Sequence, residues 1–163
     1  MPTVLDRVGE ACSPGSLTPE SRQANLHIVG ADLAHADAAH VEIAGSRLDR
    51  VDLAGAQLLG VVVRDVVVDR GDFSNVTVYR GHVTRADLRD VRMTGAQIID
   101  GVLSDVVFDH VKLDLAAFRA SRLRRVVFRA CNLVKADFAN ADIGGAFSDR
   151  CFVISAHSHA EFG

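Results

Sequence analysis

The sequence predicts an all-β fold, a coil of parallel strands wound around one long axis with four sides to each turn. Three observations carry that prediction. From Leu26 to Gly145 the chain repeats every five residues: a small residue, a polar one, a large apolar one, then two mostly polar ones. The register holds through 120 residues, or 24 windows, and the third residue is apolar in every window. The first residue is always uncharged and usually small. Chance does not hold a register that long, so the repeat is read before any local propensity.

A period of five fits neither regular element. In a helix five residues turn the chain by roughly 500°, which scatters the apolar positions around the axis. In a flat strand successive windows fall on opposite faces, because side chains alternate with period two. The pattern works if the chain turns a corner after each window, so that every third residue points to a common axis. Four sides make a coil of 20 residues, and stacked coils bond as parallel strands about 4.8 Å apart. The small first residue also points inward, near a corner. The second, fourth and fifth face water.

The copies Ala31-Asp32-Leu33-Ala34-His35, Ala86-Asp87-Leu88-Arg89-Asp90 and Ala136-Asp137-Phe138-Ala139-Asn140, with 51–55 beside them, carry a resemblance. They match the A-(D/N)-L-x-x consensus, and the chain resembles the pentapeptide repeat proteins over about three quarters of its length. The resemblance implies a right-handed quadrilateral parallel β-helix of about six coils, a rod of roughly 29 Å at the strand spacing. It also implies a protein that works by presenting a surface. Several family members resemble double-stranded DNA in width and acidity, bind type II topoisomerases such as DNA gyrase, and affect fluoroquinolone sensitivity.

The chain divides into residues 1–25, 26–145 and 146–163. Residues 1–25 fall outside the register. Val4, Leu5 and Val8 have helical spacing, and Thr18-Pro19-Glu20 reads as a helix start with Pro at the first helical position. A solenoid end exposes an unpaired ladder and an open core, so this segment is expected to cap the first coil. After 145 the pattern decays. Phe147, Phe152, Ile154 and Phe162 crowd the tail and are expected to plug the last coil or to form a dimer contact.

Within the repeats the central residues form four stacks, and Phe108, Phe118, Phe128 and Phe138 place the bulk toward the C-terminal end. That end should be better filled. The absence of Trp and the single Tyr, Tyr79, suit a core only two side chains across. Cysteines stand at 12, 131 and 151. An odd count argues against a disulfide framework. Cys131 and Cys151 hold the small inward position 20 residues apart, where free Cys reads as a buried small residue.

Packing does not dictate the outward second positions, so they inform on function. Val62, Val67, Val102, Val107, Ala117 and Val127 break the polar rule there. Val67, Val107 and Val127 share one side, and Val62 and Val102 the next. They are candidates for contact with a partner or a second copy. Asp32, Asp52 and Asp72 stack on another side, the arrangement a DNA mimic needs, but Arg92 and Lys112 continue that line. The repeats carry 16 acidic and 15 basic residues. Duplex DNA carries about one charge per 1.7 Å of axis, so this rod departs from a dense acidic surface. Arg119, Arg122, Arg124, Arg125 and Arg129 make a basic cluster, a candidate for an acidic partner. Without interleaved aromatics or a net positive domain, direct nucleic-acid binding is not expected.

Catalytic spacing is missing. The seven histidines are scattered, and His157-Ser158-His159 is too few ligands for a dedicated metal site. Glycines such as Gly55, Gly60, Gly95 and Gly145 fall at window ends, where they serve corners rather than a phosphate loop. No cofactor, metal or enzymatic activity is expected. No apolar run is long enough to span a bilayer. The N-terminus lacks a signal-like core, since Asp6, Arg7 and Glu10 interrupt it, so the cytoplasm is expected. The expected function is a non-enzymatic rod or scaffold with a protein partner, in one form a homodimer. Its alternatives are the gyrase-binding DNA mimic and a purely structural spacer.

Overall fold

The computed structural model describes residue 20 and residues 22–151 of the chain. The expected N-terminal helical cap, and Phe152, Ile154 and Phe162, lie outside the described residues. Within them the chain is an all-β parallel solenoid of about six turns, without helix. Corners come every fifth residue. From Glu20 to Arg150 every fifth residue except Gly145 has a positive φ, between 50° and 69°. The left-handed conformation reverses the chain locally, so each window of five ends in a bend.

Four bends close a coil of 20. Strand partners are therefore offset by 20, as in Val62↔His82↔Val102↔Arg122 and Val67↔Asp87↔Val107↔Val127. Each coil bonds to the next through backbone groups on both sides of a corner. Asn25 N–H donates to Ala44 O at 2.9 Å, and Arg47 N–H to Leu26 O at 2.8 Å.

The sides are numbered here from the windows that begin at 26, 31, 36 and 41. The fourth and first sides run through their shared corner as one strand at Val62–Asp69, His82–Arg89, Val102–Asp109 and Arg122–Arg129. Together they form a nine-stranded sheet. The third side is a four-stranded sheet of Asp37–Ala39, Gln57–Leu59, Thr77–Tyr79 and Gln97–Ile99. The second side is made of single bridges from Asp32 to Asn132, and tight turns follow them, such as Ala56 N–H to Leu53 O at 3.0 Å.

The coil reaches to either side of 26–145. Arg22–Ala24 already pairs with Glu42–Ala44, and Asp142–Asp149 with Arg122–Arg129. Gly145 departs from the expected corner role. Arg124 pairs with Gly145, one residue out of step, and its φ is not positive. Gly145 instead lies against the previous coil, where a Cβ would stand 2.9 Å from Leu123 O.

The core follows the window pattern. Phe108, Phe118, Phe128 and Phe138 are 0–1% exposed. Phe108 and Phe128 stack at 5.0 Å, Phe118 and Phe138 at 5.1 Å, and the two stacks meet edge to face at 6.0–6.3 Å. Toward the N-terminal end the same positions hold Leu, Val, Ile or Ala, and a cavity of about 120 Å³ remains on the axis.

Candidate functional site

The acidic column on the second side has a local structural task. Asp32, Asp52 and Asp72 each turn one carboxylate oxygen back to accept the N–H two residues on, at 3.1, 2.9 and 3.0 Å. Asn132 does the same at 3.1 Å, as does Asp137 on the third side at 2.9 Å. These are Asx turns, in which a short side chain satisfies the backbone of the bend. Asp72 is also the acceptor of the Ser74 hydroxyl at 2.6 Å. Burial pushes the Asp72 carboxyl up, but the Ser74 hydroxyl and N–H and the Arg92 charge hold it below its ordinary value. Arg92 stands 3.8 Å away. Lys112 follows in the same column, so the acidic line ends after three coils.

The corner between the first and second sides is an open groove of about 520 Å³. Arg50, Arg70 and Asp90 line one wall, and Asp52, Asp72 and Arg92 the other. Opposite charges face each other across it, and each wall changes sign once along its length, Arg70 to Asp90 on one and Asp72 to Arg92 on the other, so it concentrates no single field. Among the described residues no cluster of three or more His, Cys, Asp or Glu is placed to hold a metal ion.

The five arginines of the basic cluster do not form one patch. They wrap around most of a coil. Arg119 lies on the third side and is paired with Asp137 at 2.7 Å. Arg125, at the corner of the fourth and first sides, holds Asp105 through bonds of 2.5 and 2.8 Å. Arg129 is on the first side, 3.9 Å from Asp109. Arg122 and Arg124 share the fourth side, and neither makes an ion pair with a described residue. The Arg125 pair extends a ladder, since Arg85 holds Asp65 in the previous two coils at 2.6 and 3.0 Å. The guanidinium hydrogen bonds keep Asp65 and Asp105 below the usual carboxylate range. Arg64 does the same to Glu42.

The valines share the large sheet, yet their columns are interrupted. His82 separates Val62 from Val102, and Asp87 separates Val67 from Val107. All five are half-buried. Only Val107, Val127 and Phe147 follow one another without a break, and Phe147 is 53% exposed. Cys131 and Cys151 are free thiols. Cys131 is buried, donates to Phe108 O at 3.3 Å, and is pushed up to about 12 by that burial. It is a packing residue in its ionisation as well as its place.

A fourth-position column on the third side completes the surface, and the second-position reading missed it. Leu59, Tyr79 and Ile99 stand in register there, with Leu59 43% and Tyr79 39% exposed. Gln57, Thr77 and Gln97 run beside them. These six side chains carry no charge over three coils. Arg80 lies 5.2 Å from the centre of the Tyr79 ring and 3.3 Å from Asp100, closing one edge. The signal was present in the sequence as three apolar fourth positions spaced by 20. Leu115 is a further exposed apolar group, 58% accessible at a corner with φ of 59°, a conformation that bulky residues rarely adopt.

No curated protein is similar to the chain. Among solved structures, a trypsin-treated variant of QnrB1, a plasmid-mediated fluoroquinolone resistance protein, is 16% identical. The match covers 87% of each chain with a TM-score of 0.41. Rfr23, a pentapeptide repeat protein from the cyanobacterium Cyanothece 51142, is 13% identical over 78% of this chain and 91% of that one, with a TM-score of 0.49. Likenesses this distant carry no argument about function. The model for pentapeptide repeats, in eight copies, matches residues 112–147. By that match residues 112–147 are pentapeptide repeats, and the same windows of five run in register through the coils around them.

Proposed function

We propose that the protein is a non-enzymatic, right-handed rod that presents its third side to a protein partner. The uncharged column of Leu59, Tyr79 and Ile99 with its polar neighbours supports this reading most. Packing inside the rod does not require apolar groups there, and the core of a protein interface is where charge is depleted and Tyr enriched. Elsewhere the surface is laced with ion pairs between coils, which leaves fewer free groups for recognition. The test is affinity capture with the wild type beside a Leu59→Lys, Ile99→Lys variant. The expected result is a defined partner held by the wild type and lost from the folded variant. An unchanged set of captured proteins overturns the reading.

A second reading is a DNA mimic that binds a type II topoisomerase. The observation in its favour is the line of Asp32, Asp52 and Asp72. One carboxylate per coil, about 4.8 Å, is sparse beside the DNA spacing of about 1.7 Å, and Arg92 and Lys112 end it. Supercoiling by purified DNA gyrase, titrated with this protein at two salt concentrations, separates the readings. Salt-sensitive inhibition at micromolar protein or below favours the mimic, and no effect leaves the rod and its third side. The spacer reading, built through the valines, draws less support because His82 and Asp87 interrupt both columns.

A further inference from the structure

The C-terminal and N-terminal coils share one architecture and differ inside. In the C-terminal coils the inward residues Leu113, Phe118, Leu123, Phe128 and Leu133 are 0–1% exposed. In the N-terminal coils the equivalent Ile43, Leu58, Val63, Phe73, Val78 and Val83 are only partly buried, although they too face the axis. The same six line the axial cavity of about 120 Å³. The residual exposure of these inward side chains is the wall of that void. The cavity lining runs from Ile43 to Phe108, a little over three coils, or roughly 15 Å at the strand spacing. It is a thread rather than a chamber.

Its wall is apolar throughout. A buried water needs two to four polar partners, and this wall offers none, so the space stays dry. Apolar voids of about 150 Å³ engineered in other proteins take up xenon or benzene in preference to water.

We propose that the hollow axis of the N-terminal coils is a binding site for slender, uncharged apolar molecules, of the noble-gas or short-alkane class. The ligand replaces dispersion contacts that Leu and Val leave unmade where Phe makes them further along. The recognition is by shape and lack of polarity, and no side chain donates or accepts a bond.

The probe is xenon, applied under pressure to the full chain with methyl-labelled side chains and read by NMR. Saturable shifts are expected at Val68, Leu88 and Met93, with none at Leu113, Leu123 or Leu133. Leu88→Phe continues the Phe108–Phe128 stack into the void. It should weaken xenon by about tenfold or more, the scale on which apolar pockets discriminate added bulk. Should that ring prevent folding, Val83→Leu fills part of the same space and should weaken xenon in the same direction. Absent shifts, equal shifts in the solid coils, or undiminished binding in a folded cavity-filling variant overturn the proposal.

Discussion

At Asp52 one carboxylate oxygen accepts the N–H of Ala54, and the bend of the second side rests on that bond. An amide oxygen serves equally, as Asn132 shows at its own bend. Asp52→Asn is therefore expected to leave stability within about 0.5 kcal/mol of wild type, while Asp52→Ala loses about 1 kcal/mol, the net worth of one such bond. Urea unfolding of both variants measures the difference. A variant with Asn as unstable as one with Ala would show that charge, rather than the turn, keeps the residue. The Asp/Asn slot was legible in the sequence, but its use was not. Asp87 holds the same slot in a strand, where it pairs with Arg89 at 3.1 Å and caps no bend. The slot alone does not settle which Asp caps: Asp142 opens the strand Asp142–Asp149 and still accepts the Gly144 N–H at 3.2 Å, so the local backbone of each window decides it.

A single coil is the element here, and its two ends of the rod differ in packing. Leu113 is sealed in the filled half, and Leu58 borders the void. Removing the same atoms from each should give unequal costs. Leu113→Ala is expected to cost about 4 kcal/mol and Leu58→Ala about 2 kcal/mol, because Leu113 loses a full shell of contacts while Leu58, beside the void, has fewer to lose. Denaturant midpoints at an unchanged m-value report both. Equal costs would mean that the N-terminal coils are as tightly packed as the others. The placing of Phe108, Phe118, Phe128 and Phe138 in the sequence already pointed to this asymmetry. The void itself was not legible, since it depends on how far opposite side chains reach across the axis.

Over the whole molecule, charge is organised as ladders between coils rather than as a field. Asp65 and Asp105 are held low by Arg85 and Arg125, and Glu42 by Arg64. A carboxyl whose folded value lies below its unfolded value adds stability above the unfolded value, near pH 4, and loses it as pH falls through the folded one. Stability should therefore be level from about pH 5 to 7 and decline below about pH 4. The decline should be shallower in an Asp65→Asn, Asp105→Asn variant and in high salt, since these pairs are exposed. Thermal midpoints across that range check it. A curve identical in the variant would remove the ladder from the account. The linear sequence makes the five arginines at 119–129 look like a patch, although neighbours in a short stretch need not be neighbours in space. A coil that turns every five residues spreads them over three sides and gives Arg119, Arg125 and Arg129 acidic partners in adjoining coils.

What the sequence alone determined was the period, and with it the coil of 20 and the inward stacks. A period that fits neither helix nor flat strand leaves the chain one regular way to bury its apolar residues. The tertiary structure decided what the outward positions meet. Partners between coils lie 18 to 22 residues away and differ from side to side, so ion ladders, broken valine columns and the uncharged third side emerge only when the coils are stacked. The hollow axis has the same origin, since an unfilled volume belongs to several coils at once and to no single residue.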